Sequence, residues 1–326
     1  MYYPPDYATA LVMMLISMLC WGSWPNFLKK LPDWRLEYFY IDYSLGFLIT
    51  ALVFGFTMGS GGPGEPGHWT LLTHAGAREA AYAIVGGFIW NFGNILLLIA
   101  IMIAGLAVAY PIAAVPAIVL GIGGSYWLQP VGNPWILGSS VVLLLVAAQV
   151  TAVAYRRLGG PSTEHRGRAI GIAVISGFLI GFFPPFVQAA IGGDSPLDSY
   201  TVSTLFMLGA CAATAVAVPV LLRRPLTGET GTMSGYLKGG IRPHVFGLLA
   251  GVVWCIGTVF NYVSAGMVGV AISVGIGCGA PMIGALWGVF VWREFEHASA
   301  KAKMFITAAM LLYTAGVAAM SVAYTL

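Results

Sequence analysis

The segment Gly86–Ala109, GGFIWNFGNILLLIAIMIAGLAVA, decides the fold because a second copy, AGVVWCIGTVFNYVSAGMVGVAIS, spans Ala250–Ser273. The two copies are separated by about half of the 326-residue chain. This shift aligns identical residues without a gap: Gly87 with Gly251, Trp90 with Trp254, Gly93 with Gly257, Gly105 with Gly269, and Ala107 with Ala271. Self-similarity at a fixed shift indicates a chain built by duplication of one apolar unit.

The composition is that of a membrane protein. Charged residues make up 8% of the chain, hydrophobic residues make up 59%, and the mean hydropathy is +0.85, whereas a soluble domain carries about 25% charged residues. The 15 Lys and Arg and 12 Asp and Glu residues are too few to form a water-facing shell. A soluble protein is therefore excluded, the lipid bilayer is the expected environment, and no nucleic-acid partner is indicated.

Apolar segments of about 20 residues, the length that crosses a hydrocarbon core of about 30 Å, alternate with polar connections. They lie at 8–27, 36–58, 80–102, 104–127, 135–155, 169–191, 199–222, 243–265, 267–291 and 304–325. The stretch 80–127 is too long for one crossing, so we expect a turn at Ala104-Gly105 and a second one at Ala265-Gly266. The predicted fold is an all-α polytopic membrane protein with ten transmembrane helices.

The connections differ in charge on the two sides of the predicted membrane. All Lys and Arg residues except Arg78 fall on one side, which the positive-inside rule assigns to the cytoplasm. Both termini are then outside, in a cell (inner) membrane. Because each half has an odd number of helices, the halves enter the membrane in opposite directions and form two inverted five-helix repeats. The first repeat is placed at 1–158, a short cytoplasmic linker at 159–168 and the second repeat at 169–326.

Polar residues inside apolar helices are costly and point to functional sites. Trp90 and Asn94 share one face of the third predicted helix. The eighth helix repeats this face with Trp254, Thr258 and Asn261. Indole rings and amide groups suit a neutral polar ring or amide ligand, so we predict that these faces bind substrate. Helix packing, with both Asn side chains bonded across helices, is the alternative.

The first helix ends in CWGSWPN at 20–26, where the proline frees a backbone carbonyl one turn earlier. This segment adds four predicted substrate-binding residues: Trp21, Ser23, Trp24 and Asn26. The predicted hinges are Pro25, its counterpart Pro184 in the sixth helix, and the repeated glycines Gly105 and Gly269. A kinked helix with a tryptophan anchored at the membrane interface explains the same pattern.

Asp42 is the carboxylate placed deepest in any apolar segment. A lone carboxylate that gains and loses a proton couples transport to a proton gradient, so we predict proton coupling at Asp42. The alternative is an interfacial ion pair with Lys29, Lys30 or Arg35. The second half has no acid at the matching place, near Thr204.

Small residues recur at four-residue spacing in the fourth and ninth helices. They are Ala113, Ala117, Gly121 and Ser125 in the first half, and Ala280, Gly284 and Gly288 in the second. This spacing is typical of closely packed membrane helices. We predict packing seams here, without a ligand role.

No pattern typical of an enzyme occurs in the sequence. The four cysteines lie in apolar segments without CxxC spacing, and the five histidines form no HExxH motif. We therefore predict no catalytic residues, no metal and no cofactor. The rival classes are an intramembrane enzyme, which needs a paired nucleophile and base or a metal set, and a lipid-binding structural protein.

Four short motifs resemble, in order and spacing, those of the ureide permease family. They are GSWP at 22–25, YIDY at 40–43, Gly86-Gly87 followed by Gly93-Asn94, and GLAV at 105–108. The ten-helix arrangement is similar to the drug/metabolite transporter superfamily, and the WGS motif is similar to that of the related bacterial glucose/ribose porters. The resemblance implies import of allantoin, related ureides and nucleobases with protons, or import of sugars. Plant ureide permeases carry a long central cytosolic loop, whereas residues 155–168 form a short connection.

These features together predict a secondary transporter for a small, neutral, polar solute. All Lys and Arg residues lie at or beyond helix ends, so a highly charged solute would lack buried partners. The first, third, sixth and eighth helices are expected to form a midplane cavity that opens alternately to each side. Export of apolar or cationic compounds, with Asp42 as counter-ion, is the alternative. The expected partners are the solute, lipid and protons, and the oligomeric state stays open.

Overall fold

The computed structural model describes residues 1–61, 64–158, 166–226 and 228–326. The α-helices in these ranges are α1 Tyr7–Ser23, α2 Pro25–Lys29, α3 Leu36–Thr57, α4 His68–Thr73, α5 Ala77–Ala104, α6 Leu106–Leu128, α7 Pro134–Arg156, α8 Arg166–Gly192, α9 Ser199–Arg223, α10 Met233–Leu237, α11 Ile241–Val268, α12 Val270–Gly277, α13 Ala280–Leu286 and α14 Ala300–Val322. A π-helical turn, Trp287–Val291, continues α13. The described ranges contain no strand.

Ten of the described helical segments are long and apolar enough to cross a membrane. One crossing is made by α1 with α2, and another by α12, α13 and the π-helical turn. The other eight are α3, α5, α6, α7, α8, α9, α11 and α14. The prediction of an all-α protein with ten transmembrane helices is confirmed.

Two glycines break long apolar stretches with the same backbone geometry. Gly105 separates α5 from α6 with φ 79° and ψ 159°, and Gly269 separates α11 from α12 with φ 78° and ψ 156°. This region of backbone space is open essentially to glycine alone. The predicted turn at Ala104-Gly105 is confirmed. The turn predicted at Ala265-Gly266 is wrong, because α11 continues through these residues to Val268.

The prolines act differently in the first and sixth crossings. α1 ends at Ser23, and Pro25 occupies the first position of α2, where a missing N–H costs nothing. α8 is continuous through Pro184 and Pro185, so no break accompanies the predicted hinge at Pro184.

Glycines bring two pairs of helices into close contact. A Cβ added to Gly87 would lie 1.8 Å from the Phe206 carbonyl oxygen, so α5 and α9 touch backbone to backbone. A Cβ on Gly251 would lie 2.1 Å from the Tyr43 carbonyl oxygen, which brings α11 equally close to α3. α5 packs against α8 and α9 as α11 packs against α1 and α3. This arrangement is compatible with the predicted inverted repeat, which stays a prediction.

The boundary between the predicted halves lies partly outside the described residues. Of the predicted linker 159–168, residues 159–165 are not described. α8 already begins at Arg166, within the predicted linker. The chain therefore enters the second set of helices slightly earlier than the hydropathy pattern predicted.

Candidate solute cavity

Two adjacent cavities lie between the helices of the two halves. The narrow cavity, of about 190 Å³, is lined by residues that include Trp21, Trp90, Asn94, Tyr110, Trp254 and Tyr262. The wide cavity, of about 560 Å³, shares Trp21, Asn94 and Tyr110 with it and continues to Lys29, Tyr155 and Glu294. Because these last three residues lie at helix ends, the wide cavity connects the narrow one with one end of the helix bundle.

The two repeated tryptophans line the narrow cavity side by side. The rings of Trp90 and Trp254 stack with centroids 4.0 Å apart and planes inclined by 18°. The Phe47 ring packs edge-on against both, at 6.5 Å and 5.8 Å. The structure therefore brings together the matching faces of α5 and α11, and both indole rings form part of the cavity wall.

Asn94 lines both cavities, and a hydrogen bond to α3 fixes its side chain. Its amide N–H donates to the Tyr40 hydroxyl over 3.0 Å. This bond orients the side chain and leaves its carbonyl oxygen as an acceptor for a ligand. Tyr40 was not singled out from the sequence, since only the fold brings α3 against α5.

Thr258 supports the cavity without lining it. The Trp21 indole N–H donates to the Thr258 hydroxyl over 3.1 Å, and this hydroxyl donates to the Trp254 carbonyl oxygen over 3.1 Å. Thr258 is fully buried. It therefore fixes the orientation of Trp21, which does line both cavities.

Asn261 lines neither cavity. Its amide donates to the Ser273 carbonyl oxygen over 2.7 Å, and the Ser273 hydroxyl donates back to its Oδ1 over 3.2 Å. The break at Gly269 lets α12 fold against α11 and satisfy both ends of this amide. The geometry corresponds to the packing alternative, and the substrate-binding prediction for Asn261 has no contact to support it.

The predicted residues at the end of α1 separate into two groups. Trp24, Pro25 and Asn26 line the wide cavity, and the Trp24 ring stacks on Tyr43 with centroids 4.7 Å apart. Ser23 lines neither cavity. Its hydroxyl accepts a hydrogen bond from the Trp287 indole N–H over 2.9 Å. Ser23 therefore ties α1 to the π-helical turn.

Asp42 is buried between α3, α10 and α11 and lines neither cavity. Its carboxylate accepts from the Tyr236 hydroxyl over 2.6 Å and lies 2.9 Å from His244 Nδ1. Burial and the Asp42 carboxylate raise the pKa of Tyr236. The sequence did not identify His244 or Tyr236, because both lie far from Asp42 along the chain.

Two of the three cations considered as partners of Asp42 are paired with other acids. Lys29 forms an ion pair with Glu294, and Arg35 Nη2 lies 3.0 Å from Glu37 Oε1. The ion-pair alternative for Asp42 is therefore wrong in its partners, although His244 is in ion-pair range.

Small residues line the cavities as well as packing helices. Ala113 and Ala117 line the narrow cavity, while Ala280, Gly284 and Gly288 line the wide one. The prediction of packing seams without a ligand role was incomplete. Small side chains allow close approach on one side of a helix and leave empty volume on another.

A charged cluster lies at the entrance of the wide cavity. Glu294 pairs with Lys29 and accepts a hydrogen bond from the Tyr155 hydroxyl over 3.1 Å. Arg293, the preceding residue, has φ 53°, which is unusual for a residue with a side chain. Among the described residues, Lys29 is the one cation that lines the wide cavity, and its charge is paired; none of the described residues that line the narrow cavity is a cation.

Comparisons with known proteins agree with a transporter. The family model for ureide permease matches residues 39–158. Ureide permease 2 of Arabidopsis thaliana is 22% identical over 98% of both chains, and ureide permease 5 of the same plant is 22% identical over 94% of this chain and 92% of its own. A probable ureide permease A3 of Vigna unguiculata is 30% identical over 37% of this chain and 33% of its own.

The fold also has a counterpart among solved structures. One crystal structure superposes with a TM-score of 0.65 at 16% identity and covers 96% of both chains. At this identity the likeness concerns the fold alone. The similarity to bacterial sugar porters stays a prediction. The ten crossings and the matches to ureide permeases indicate a multi-pass membrane transporter rather than an enzyme.

Proposed function

We propose that the protein is a secondary transporter that moves a small, neutral, polar solute, ureide-like, nucleobase-like or a sugar, by alternating access. The observation that carries this proposal is the narrow cavity built from Trp90, Trp254 and Asn94 where the two halves meet. A buried site between repeats is the arrangement by which one solute site can face each side of a membrane in turn.

The chemistry of the cavity favours a flat, uncharged solute. The stacked indoles offer apolar surfaces with N–H donors at their edges, and Asn94 offers a carbonyl acceptor. A charged solute would need a buried counter-charge, and Lys29, which lines the wide cavity, is already paired with Glu294. The names of the plant relatives support ureides as the first solutes to test.

In this mechanism two inverted five-helix halves rock around the cavity, with Pro25, Gly105, Pro184 and Gly269 as hinge positions. Both termini lie outside a cell (inner) membrane, and the end with Lys29 and Glu294 faces the cytoplasm. The excess of Lys and Arg on that side supports this orientation. The described structure then corresponds to a state open to the cytoplasm.

Protons are proposed to drive the transport through Asp42. α3 carries Asp42 against His244 and, one half-turn earlier, carries Tyr40 against Asn94 of the cavity. A change in the charge of Asp42 therefore acts on the same helix that orients a solute-binding side chain. This connection supports coupling without direct contact between Asp42 and the solute.

The proposal is tested by uptake into proteoliposomes. Labelled allantoin, uracil and glucose are offered to the wild-type protein and to Trp90→Ala, Trp254→Ala and Asn94→Ala, with and without a proton gradient. We expect uptake of at least one solute, and its loss in the three variants without loss of the folded protein. Trp135→Ala is the control, because Trp135 is 86% exposed on α7.

Two results would contradict the proposal. Unchanged uptake in all three cavity variants would remove the cavity from the transport path. Efflux of apolar or cationic compounds without uptake of any of the three solutes would favour the exporter alternative.

A further inference from the structure

One buried hydroxyl group of the narrow cavity has no partner in the protein. Tyr262 of α11 is fully buried, and its hydroxyl makes no hydrogen bond with any described residue. Buried polar groups are nearly always paired, since an unpaired one loses its bonds to water without replacement. The Tyr262 side chain nevertheless lines the narrow cavity together with Trp90 and Trp254.

Other buried hydroxyls in the described residues also lack a partner, but they lie elsewhere. They belong to Ser17, Tyr43, Ser125 and Thr201. Neither cavity is lined by any of them. Tyr262 therefore differs from them in one respect that matters for binding: it is a lining residue of the narrow cavity.

The Tyr262 ring is fixed by its surroundings. Phe206 packs against it edge-on, with centroids 5.6 Å apart and planes at 83°. The Ser199 hydroxyl donates to the Tyr262 backbone carbonyl over 2.9 Å and anchors α11 to α9 at this point. A close-packed ring cannot turn its hydroxyl towards another protein acceptor.

We propose that the Tyr262 hydroxyl donates a hydrogen bond to a carbonyl or hydroxyl oxygen of the transported solute and selects it against analogues that lack this oxygen. This inference rests on the proposed transport function. The solute then meets a donor at Tyr262, indole donors at Trp90 and Trp254, and the Asn94 carbonyl acceptor on the cavity wall. A site with a buried polar group rejects a ligand that leaves this group unpaired.

The test uses Tyr262→Phe in the purified protein. Removing an unpaired buried hydroxyl does not weaken the solute-free protein, so its melting temperature is expected to be unchanged or higher. Stabilisation by allantoin, uracil or glucose is expected to fall, with the apparent dissociation constant of the bound solute rising about tenfold. If the hydroxyl had only a structural role, Tyr262→Phe would lower the melting temperature of the solute-free protein and leave its solute affinity unchanged.

Tyr313→Phe is the matched control. Tyr313 is also a fully buried tyrosine, but it lines neither cavity. The Tyr313→Phe substitution should leave solute affinity unchanged. An analogue in which the bonded oxygen is replaced by hydrogen should bind wild-type protein and Tyr262→Phe equally.

The outcomes separate this inference from the proposed function. Equal solute affinity in wild-type protein and Tyr262→Phe overturns the role of Tyr262 and leaves transport untouched. A lower melting temperature of solute-free Tyr262→Phe with unchanged solute affinity overturns it as well. If no solute is bound or transported by the wild-type protein, the proposed function fails instead.

Discussion

The turns at Gly105 and Gly269 have the same backbone conformation but different surroundings. After Gly269, Val270 is fully buried, and its N–H donates to Gln188 Oε1 over 3.1 Å. After Gly105, by contrast, Leu106 is 36% exposed and lines the wide cavity. We call the Gly269 side the closed end and the Gly105 side the open end.

The difference shows that two copies of one backbone turn can be packed in different ways. Gln188 also donates to the exposed Gln129 at the end of α6, so the closed end is held by a polar chain that runs from α6 through the buried Gln188 of α8 to α12. The open end has the Lys29–Glu294 pair beside the cavity instead. One local geometry therefore occurs both packed and free, which is what alternating closure of two ends requires.

The largest effect on transport is expected from a substitution that removes the acid of a histidine pair, because the pairs at the two ends differ in this respect. At the open end His244 pairs with Asp42, whereas at the closed end His68 Nε2 shares a hydrogen bond with Thr204 over 3.0 Å. Only the first pair contains an acid. We expect Asp42→Asn to abolish proton-driven accumulation of solute while exchange of solute across the membrane continues, since an amide keeps the shape but carries no charge.

The control for this prediction is Asp33→Asn, which removes an exposed acid near the same end. It should accumulate solute like the wild-type protein. Normal accumulation by Asp42→Asn would show that the difference between the two pairs has no role in coupling.

A second prediction concerns the polar chain of the closed end. Gln188→Leu leaves the Val270 N–H and Gln129 without their partner, and a buried unpaired group costs about 1–3 kcal/mol. The closed end should therefore open more often. In a protein whose other cysteines are replaced by alanine, Cys278 of the cavities should react about tenfold faster with an impermeant thiol reagent from the closed side.

Gln149→Leu is the matched control, because Gln149 is an exposed glutamine on α7. It should not change the reaction of Cys278 from either side. If Gln188→Leu reacts like the wild-type protein, the polar chain does not hold the end closed.

A smaller effect, on the rate of uptake, is expected from a substitution in the ion pair at the open end. Glu294→Gln leaves Lys29 without its counter-charge at the entrance of the wide cavity. Because Lys29 is 44% exposed there, solvent screens much of the change. We expect uptake to slow about threefold, compared with no change for Glu296→Gln, which neutralises a half-exposed acid outside the cavity. Equal uptake rates in these two variants would argue against a role for the entrance pair.

The smallest effect is expected for the pH dependence of the stability of the protein, through a histidine at the closed end. Burial lowers the pKa of His68 below its ordinary value of 6.5. The unfolded chain then binds more protons than the folded one as pH falls below about 6.5, so the stability present above this pH is lost on acidification. The melting temperature should fall by a few degrees between about pH 7.5 and about pH 5.5, and less in His68→Gln.

His74→Gln provides the comparison, since His74 lies on the same connection but is exposed. It should retain the pH dependence of the wild-type protein. A slope that is the same in wild-type protein and His68→Gln would assign the acid sensitivity to another group.

The sequence predicted the parts of this fold that depend on local pattern. Apolar length gave the ten crossings, and the repeated glycine gave the turn at Gly105. The second turn was misplaced because hydropathy does not distinguish neighbouring glycines. The positive φ at Gly269 follows from its alignment with Gly105, which the repeat already contained.

The site was less predictable because its contacts are long-range. The helical spacing identified Trp90, Trp254 and Asn94, which meet at the cavity. Spacing alone placed Asn261 with them, although Ser273 satisfies both of its polar ends. The partners of Asp42 and the isolation of the Tyr262 hydroxyl depend on how separate helices pack, so no local pattern reveals them.

The most direct test of the account asks from which side the cavity is reached. Cys278 lines both cavities, and Cys20, Cys211 and Cys255 can be replaced by alanine to leave it as the single thiol. For a protein that opens one end at a time, we expect an impermeant reagent to label Cys278 about tenfold faster from the Glu294 side. We also expect a transported solute, added at saturation, to change the two rates in opposite directions. Equal labelling from both sides, unaffected by solute, would contradict alternating access.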